Sequence, residues 1–327
     1  MREPRRASGS FARAWVHASD IRILFELPLL LALSWLLPQR AWFAACRTVE
    51  AIKVRIGLYD PQPVSDAAAR AFNTPPSRKF AIESAAGRSE CHLQVLRCHR
   101  PGGWKPALIL EGYEHIDRAL AGGRGCVLWV GHFCFNSLAT KMALHRAGYA
   151  LWHISRPEHG FSKSRFGIAC LNPIRIGVET PFLAGRIEIH RTRPGNAMLQ
   201  ARQILAGNGI VSITAGAWEG RKPVDVDLLG GRLKLAAGAA GLAFLNGATL
   251  LPVFTIRGAG RDIRVIVESE IAAPSAGTLR EHSAVIAQSF ADRLAVRVMS
   301  EPAEWRDWKN LKPISPTLPS LARDIGR

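Results

Sequence analysis

The sequence predicts an α/β fold, in which a central, mostly parallel or mixed sheet is flanked by helices. Apolar runs at Cys126–Val130, Ile210–Thr214 and Thr249–Phe254 are short and uncharged, as buried strands are. Between and beside them, the amphipathic stretch Asn196–Ala206 and the small-residue stretch Ala236–Asn246 are typical of helices that pack on a sheet. This alternation indicates an α/β sandwich rather than separate domains.

Shorter runs extend the same alternation along the chain. Further strands are predicted at Leu108–Leu110, Tyr149–Ile154, Ile187–Ile189, Val224–Leu229 and Ile263–Val267, and further helices at Glu111–Ala121 and Ala284–Met299. The alternating run Cys91–His99 also predicts a strand. Its two Cys-His pairs match no common zinc-finger spacing, so a structural role is favoured over a metal site.

Composition limits the classes of partner. The chain has 327 residues, of which 48% are hydrophobic and 21% charged, so it can bury a large core and disorder is not expected. The net charge of +17 predicts a polyanionic neighbour: a membrane face, a phosphorylated substrate, an acidic carrier protein or nucleic acid. Because the arginines are dispersed and no aromatic RNA-binding motif is present, no nucleic acid is expected.

The amino-terminal region predicts contact with a membrane. Residues 1–13 are basic, and the hydrophobic stretch Ile21–Leu37 follows, interrupted by Arg22, Glu26 and Pro28. A single membrane span needs about 20 apolar residues. We therefore expect residues 1–45 to form a basic terminus and a membrane-seated helix, inserted shallowly or spanning marginally, with the α/β domain in residues 46–327. The alternative is an apolar helix of the soluble core.

One histidine follows directly on a predicted buried strand. Gly131 ends the strand Cys126–Val130, and His132 stands after it, with Asn136 or Ser137 placed to cap the next helix. Ligands of α/β sheets bind beyond the strand ends, and histidine is a common base near neutral pH. His132 is thus a candidate catalytic base; the alternative is a histidine that caps a helix or fills a polar hole.

Four segments in the same order resemble the lysophospholipid acyltransferase superfamily, and within it most closely the bacterial lipid A biosynthesis (lauroyl/myristoyl) acyltransferases. The segments are Val130-Gly131-His132-Phe133, Arg156-Pro157, the region Leu205–Phe254 with Leu228-Leu229-Gly230-Gly231, and the tail Glu301–Lys309 with its spaced tryptophans. Each short motif is weak alone, and their joint order makes the resemblance specific.

The resemblance implies a glycerolipid acyltransferase-like fold and acyl transfer. In the family, the histidine takes a proton from an acceptor hydroxyl, which attacks an acyl thioester. For this chain it implies acyl carrier protein or coenzyme A as the thioester partner, a lipid or glycolipid acceptor bearing a hydroxyl or amine, and no cofactor beyond the thioester co-substrate. It also implies a place on an anionic membrane surface, the cytoplasmic face of a bacterial inner membrane.

The chain departs from the family at the acidic residue that normally orients the histidine. The fifth position after His132 is Ser137, so Ser137 or Asn136 is the expected orienting partner. A second acid usual in the lipid A branch is also absent, and Glu219 is the nearby carboxylate that would substitute for it. The alternative for Glu219 is a solvated residue paired with Arg221. These departures leave open a catalytically altered or inactive member that binds lipid or an acyl carrier.

Candidate substrate-binding residues follow the predicted strand ends. Arg156, Arg165 and Arg221 would bind phosphate, because guanidinium groups match its geometry. Trp218, with Leu128 and Phe133, would line an acyl chain. The alternatives are ordinary surface charges for the arginines and ordinary core packing for the apolar residues.

Overall fold

The computed structural model describes residues 15–189, 194–216, 223–258, 262–272, 274 and 277–314. The helices in these ranges are α1 (Ala18–Leu36), α2 (Gln39–Arg55), α3 (Gln62–Phe72), α4 (Arg78–Cys98), α5 (Tyr113–Ala121), α6 (Ala139–Arg146), α7 (Asn172–Glu179), α8 (Pro194–Ala206), α9 (Gly238–Asn246) and α10 (Leu279–Ser300). The strands are β1 (Leu108–Glu111), β2 (Cys126–Val130), β3 (Leu151–Ser155), β4 (Gly185–Glu188), β5 (Ile210–Thr214), β6 (Pro223–Leu228), β7 (Gly231–Ala236), β8 (Thr249–Arg257), β9 (Ile263–Val267) and β10 (Lys312–Pro313).

A seven-stranded mixed sheet organises the chain in the order β1-β9-β8-β2-β5-β3-β4. The five strands from β8 to β4 are parallel, whereas β9 is antiparallel to β8 and parallel to β1. Strand β2 lies between β8 and β5, with Cys126 opposite both Ile210 and Thr249. The predicted α/β fold with a central mixed sheet and flanking helices is confirmed.

The central strand is buried on both faces. All five residues of β2 are buried, as in a strand covered by helices on either side. On one face, the Trp129 ring stacks on Phe290 of α10, with centroids 4.2 Å apart, and Phe290 also contacts Phe254 of β8. A smaller sheet of β10, β7 and β6 packs beside α10. These contacts hold the carboxyl end of β2 in a fixed position.

The prediction of a strand at Cys91–His99 is wrong, because this segment is the end of helix α4. Helix α4 packs against α1, α2 and α7, so it is buried on several sides and most residues from Ser84 to Leu96 are inside. Apolar residues therefore occur at more positions than a one-sided helix would show, and the helical period is hidden. Among the described residues, no group of three His, Cys, Asp or Glu side chains is placed to hold a metal ion.

Helix α1 packs on α4 through polar contacts near its end. The Trp35 Nε1–H donates to the Leu96 carbonyl at 3.1 Å, and Arg97 donates to the Ser34 carbonyl at 2.5 Å. Pro28 lies inside the helix. None of the helices in the described ranges combines the length and the apolar character that crossing a bilayer requires.

Substituting Gly131→Ala is expected to destabilise the fold. The added Cβ would meet Phe254 Cδ1 at 2.6 Å, and the fully buried Phe254 is packed against other aromatic rings and has no free space. We expect a loss of about 1–3 kcal/mol, measured by urea unfolding. Gly241→Ala in α9 is the control, because its Cβ meets nothing within 4 Å and alanine favours helix. Equal stability of both variants would contradict the packing argument.

Candidate active site

His132 lies directly beyond the carboxyl end of the central strand. Strand β2 ends at Val130, and the next amide, that of Gly131, donates to the Val253 carbonyl at 2.8 Å. The His132 side chain is 25% exposed, so one side of the ring is open to solvent while the other faces protein. Position and exposure together suit a group that meets a substrate at the edge of a parallel sheet.

The Nδ1 side of the imidazole contacts a carboxylate from a segment much later in the sequence. His132 Nδ1 lies 3.0 Å from both Oδ1 and Oδ2 of Asp307, whose side chain is only 3% exposed. An ionised carboxylate only accepts hydrogen bonds, so Nδ1 carries the proton and donates it. Asn310 Nδ2 donates to the same carboxylate at 3.1 Å. The Nε2 atom of His132 is therefore left as the basic nitrogen.

The segment Glu301–Asn310, called here the tail strap, is joined to the residues around His132 by backbone hydrogen bonds. The amide of Arg306 donates to the His132 carbonyl at 3.0 Å, and the amide of Cys134 donates to the Glu304 carbonyl at 2.9 Å. Phe133 and Trp305 form an antiparallel bridge between these contacts. The backbone pairing thus fixes Asp307 relative to the imidazole.

Buried side chains anchor the tail strap to the rest of the core. Trp308 is fully buried against Trp305, Phe72 and Phe80, and its Nε1–H donates to the Pro302 carbonyl at 2.8 Å. Because aromatic side chains bury large areas, this contact contributes much of the energy that holds the strap.

An arginine connects the tail strap to the sheet and to α4. Arg257, the last residue of β8, donates through Nη2 to Glu90 at 2.6 Å and through its backbone amide to Glu304 at 2.9 Å. Its guanidinium group also lies over the Phe135 ring, 4.9 Å from the centroid. Burial raises the pKa of Glu304 to about 7, and the charge of Arg257 opposes that rise. The strap is therefore held by an ion-paired network as well as by apolar packing.

The structure corrects the expected orienting role of Ser137 and Asn136. Ser137 Oγ donates to Glu179 Oε1 at 2.5 Å, and the carboxylate on His132 Nδ1 belongs to Asp307. Asn136 is buried in the turn after the histidine. Neither residue caps helix α6 through its side chain, because that helix begins at Ala139 with Leu138 before it.

Glu179 is the centre of a separate buried cluster of charges. Its carboxylate accepts from Lys141 at 2.6 Å and from His159 and Arg186 at 2.9 Å, in addition to Ser137. Burial alone would raise the pKa of Glu179, but the neighbouring His159 and Lys141 outweigh it and hold that pKa well below its ordinary value. Burial lowers the pKa of Lys141 to about 8. The cluster links α6, α7 and β4 behind the His132 turn.

The remaining predicted site residues are dispersed. Arg156 directly follows β3 and is half-buried, whereas Arg165 is exposed and lies 5.9 Å from the Trp15 ring centroid. Leu128 and Phe133 are fully buried in the hydrophobic core, which favours their packing alternative over an acyl lining. The predictions for Glu219, Arg221 and Trp218 lie outside the described residues.

Asp307 is the site residue that reasoning from the sequence missed. It stands 175 positions from His132, so no local spacing connects the two. The available signal was a carboxylate set between tryptophans 305 and 308, whose large rings favour burial. Buried carboxylates are usually paired, which makes such a residue a candidate partner for a cation or a histidine.

The chain is similar in sequence to acyltransferases. No family model matches the chain. The phosphatidylinositol mannoside acyltransferases of Mycobacterium tuberculosis strains H37Rv and CDC 1551 are each 29% identical over 198 residues, covering 60% of this chain and 57% of the relative. The chain thus spans less than two thirds of the length of these relatives.

A solved structure shows weaker likeness. The 1-acyl-sn-glycerophosphate acyltransferase PlsC of Thermotoga maritima superposes with a TM-score of 0.36 at 14% identity, covering 86% of this chain and 98% of that one. At this TM-score the structural likeness adds nothing to the sequence similarity.

Substituting Glu179→Gln is expected to cost about 3–5 kcal/mol of unfolding free energy at pH 7, because Lys141 and Arg186 lose their buried counter-charge. The low pKa of Glu179 in the folded state stabilises the protein fully above about pH 4.5, and this contribution disappears as the pH falls further. The variant should therefore show a flatter decline of stability below pH 4.5, measured by urea unfolding across pH. The exposed Glu270→Gln is the control, and equal losses in both would contradict the assignment.

Proposed function

We propose that the chain is a member of the acyltransferase superfamily, and that it moves a fatty acyl group from an acyl thioester to a hydroxyl or amine of a lipid acceptor, with His132 as general base. The observation that carries this proposal is the part-exposed imidazole whose Nδ1 is held by the buried Asp307 carboxylate. A base needs its other nitrogen engaged, so that the tautomer is fixed and the attacking nitrogen is free.

The proposed step balances without a further reactant. His132 Nε2 takes the proton as the acceptor oxygen or nitrogen bonds to the thioester carbonyl carbon. The tetrahedral intermediate then collapses, the carbon–sulfur bond breaks, and the imidazolium returns the proton to the departing thiolate. Asp307 stabilises the imidazolium between these two transfers.

The same geometry favours an enzyme over a catalytically inactive binding protein. The lack of an acid at position 137 favours an inactive member, since a neutral serine does not stabilise imidazolium. Asp307 supplies a carboxylate to the same ring nitrogen from a different part of the chain. A carboxylate on one nitrogen of a part-exposed histidine, at the carboxyl end of the central strand, is the arrangement that a general base requires.

The donor and acceptor are proposed from charge and chemistry. An acyl carrier protein is acidic and coenzyme A carries phosphates, so either thioester suits a chain with a net charge of +17. Arg156 and Arg165 are the described arginines proposed to contact phosphate on the donor or on a lipid or glycolipid acceptor. The sequence similarity does not single out the lipid A branch.

We propose that α1 lies on an anionic membrane surface, at the cytoplasmic face of a bacterial inner membrane. Its Ile21, Leu24 and Phe25 are exposed at spacings of three and four, which places them on one side of the helix, and Leu36 is 81% exposed. Apolar residues exposed on one helix face are suited to shallow insertion between lipid headgroups.

Substituting His132→Ala is expected to reduce the rate of acyl transfer by about three to four orders of magnitude while leaving the fold intact. The measurement is mass spectrometry of lipids from bacteria that express each protein, where active protein gives a mass gain of one fatty acyl group. The matched control is His145→Ala, an exposed histidine on α6. Equal acylation by the wild type and His132→Ala would remove His132 from the mechanism.

Substituting Phe25→Asp is expected to weaken membrane binding about tenfold or more, because burial of one phenylalanine contributes roughly 1.5–3 kcal/mol. Binding is measured by sedimentation with phosphatidylglycerol vesicles. Leu245→Asp on α9, where Leu245 is 65% exposed, is the control. If the two variants bind equally well, α1 is not the membrane-contacting surface.

A further inference from the structure

We propose that Asp307 is the positioning residue of His132, and that the tail strap replaces the acid which the family carries five positions after its histidine. The inference rests on the acyl transfer proposed above and deepens it. It makes Glu301–Asn310 part of the active site, although none of these residues adjoins the histidine in the sequence. Asp307 is a positioning residue because it acts through the imidazole.

The contact geometry supports an orienting role. Both carboxylate oxygens of Asp307 lie 3.0 Å from His132 Nδ1, and Asn310 holds one of them at 3.1 Å. At 3% exposure the carboxylate is screened little by water, so its interaction with an imidazolium is stronger than that of a surface pair. A carboxylate that is held by Asn310 and contacts Nδ1 favours one orientation of the His132 ring.

The surroundings of Ser137 explain why the acid is not in the family position. Ser137 Oγ already donates to Glu179, and a carboxylate at position 137 would face that buried carboxylate at close range. Two like charges that close in a buried site repel strongly. A serine at position 137 and an acid at position 307 are therefore linked choices: the first completes the Glu179 cluster, and the second restores the partner of His132.

The tail strap is built to keep the carboxylate in place. Its backbone pairs on either side of Phe133, where the Arg306 amide donates to the His132 carbonyl and the Cys134 amide donates to the Glu304 carbonyl. Buried Trp305 and Trp308 anchor it. Arg257 ties Glu304 to the end of β8. A site whose supporting groups are this constrained has little reorganisation to undergo when charge develops on the ring.

Substituting Asp307→Asn tests the proposal, because the amide keeps the shape and removes the charge. We expect kcat to fall by about 10²- to 10⁴-fold with KM changed less than threefold, since the interaction is needed when the ring becomes charged. Asp307→Glu should recover part of the rate. Asp227→Asn, a 64% exposed aspartate paired with Arg232, is the matched control and should retain wild-type kcat.

A readout that does not require turnover separates positioning from stability. In ¹⁵N spectra of histidine-labelled protein, the wild type should show the His132 tautomer with the proton on Nδ1. Asp307→Asn should shift it toward Nε2–H, because an amide NH₂ group can donate to Nδ1. Asn310→Ala, which removes the other contact of the carboxylate, should give a smaller loss of kcat in the same direction.

The outcomes are distinguishable from failure of the proposed function. If the wild type transfers acyl groups and Asp307→Asn stays within threefold of it with an unchanged tautomer, the positioning role is overturned. If the wild type transfers none, the proposed function fails, and the tautomer comparison still decides whether Asp307 orients the ring. A kcat loss that matches only a fall in Tm, with the tautomer unchanged, also overturns the proposal.

Discussion

The contact between the His132 ring and the Asp307 carboxylate joins two segments that are 175 positions apart, and much of the domain is arranged to permit it. The sheet places the imidazole, because β2 is buried between β8 and β5 and ends one residue before Gly131. Aromatic burial places the carboxylate, because Trp305 and Trp308 fix the tail strap in the core. The sheet alone or the tail strap alone would therefore not bring His132 and Asp307 into contact.

Two carboxylates near the turn after β2 have different roles because their surroundings differ. Glu179 is fully enclosed and surrounded by Lys141, Arg186 and His159, so its charge is satisfied within the protein. Asp307 contacts a ring that is itself open to solvent on the other side. Asp307 contacts the ring at the carboxyl end of the central strand, where ligands of α/β sheets bind, and this position makes it the candidate catalytic carboxylate.

Three strands were predictable with their exact ends. Strands β2, β5 and β9 have the predicted bounds, because short apolar runs between turn residues have few other interpretations. Helix α4 was not predictable in its second half, since packing on several sides removed the one-sided pattern that identifies a helix. The orienting role expected for Ser137 or Asn136 follows from the family's spacing after the histidine, whereas the buried Glu179 decides the contact that Ser137 makes.

The candidate site shows how much a local motif leaves out. The position of His132 at a strand end follows from the sequence around it, and so does the resemblance to acyltransferases. Its partner follows from tertiary contacts, in which a tail segment crosses the end of the sheet and pairs with the backbone at His132 and Cys134. Spacing rules describe residues on one element, so they give no account of a contact between segments that meet only in the fold.

The order in which the ribosome makes these two segments has a consequence for the newly made chain. At translation rates of roughly 5–20 residues per second, Asp307 is added about 9 to 35 seconds after His132. During that interval the imidazole has no carboxylate to select its tautomer or offset its charge. The candidate site is therefore complete only after the later segment has been synthesised and has docked.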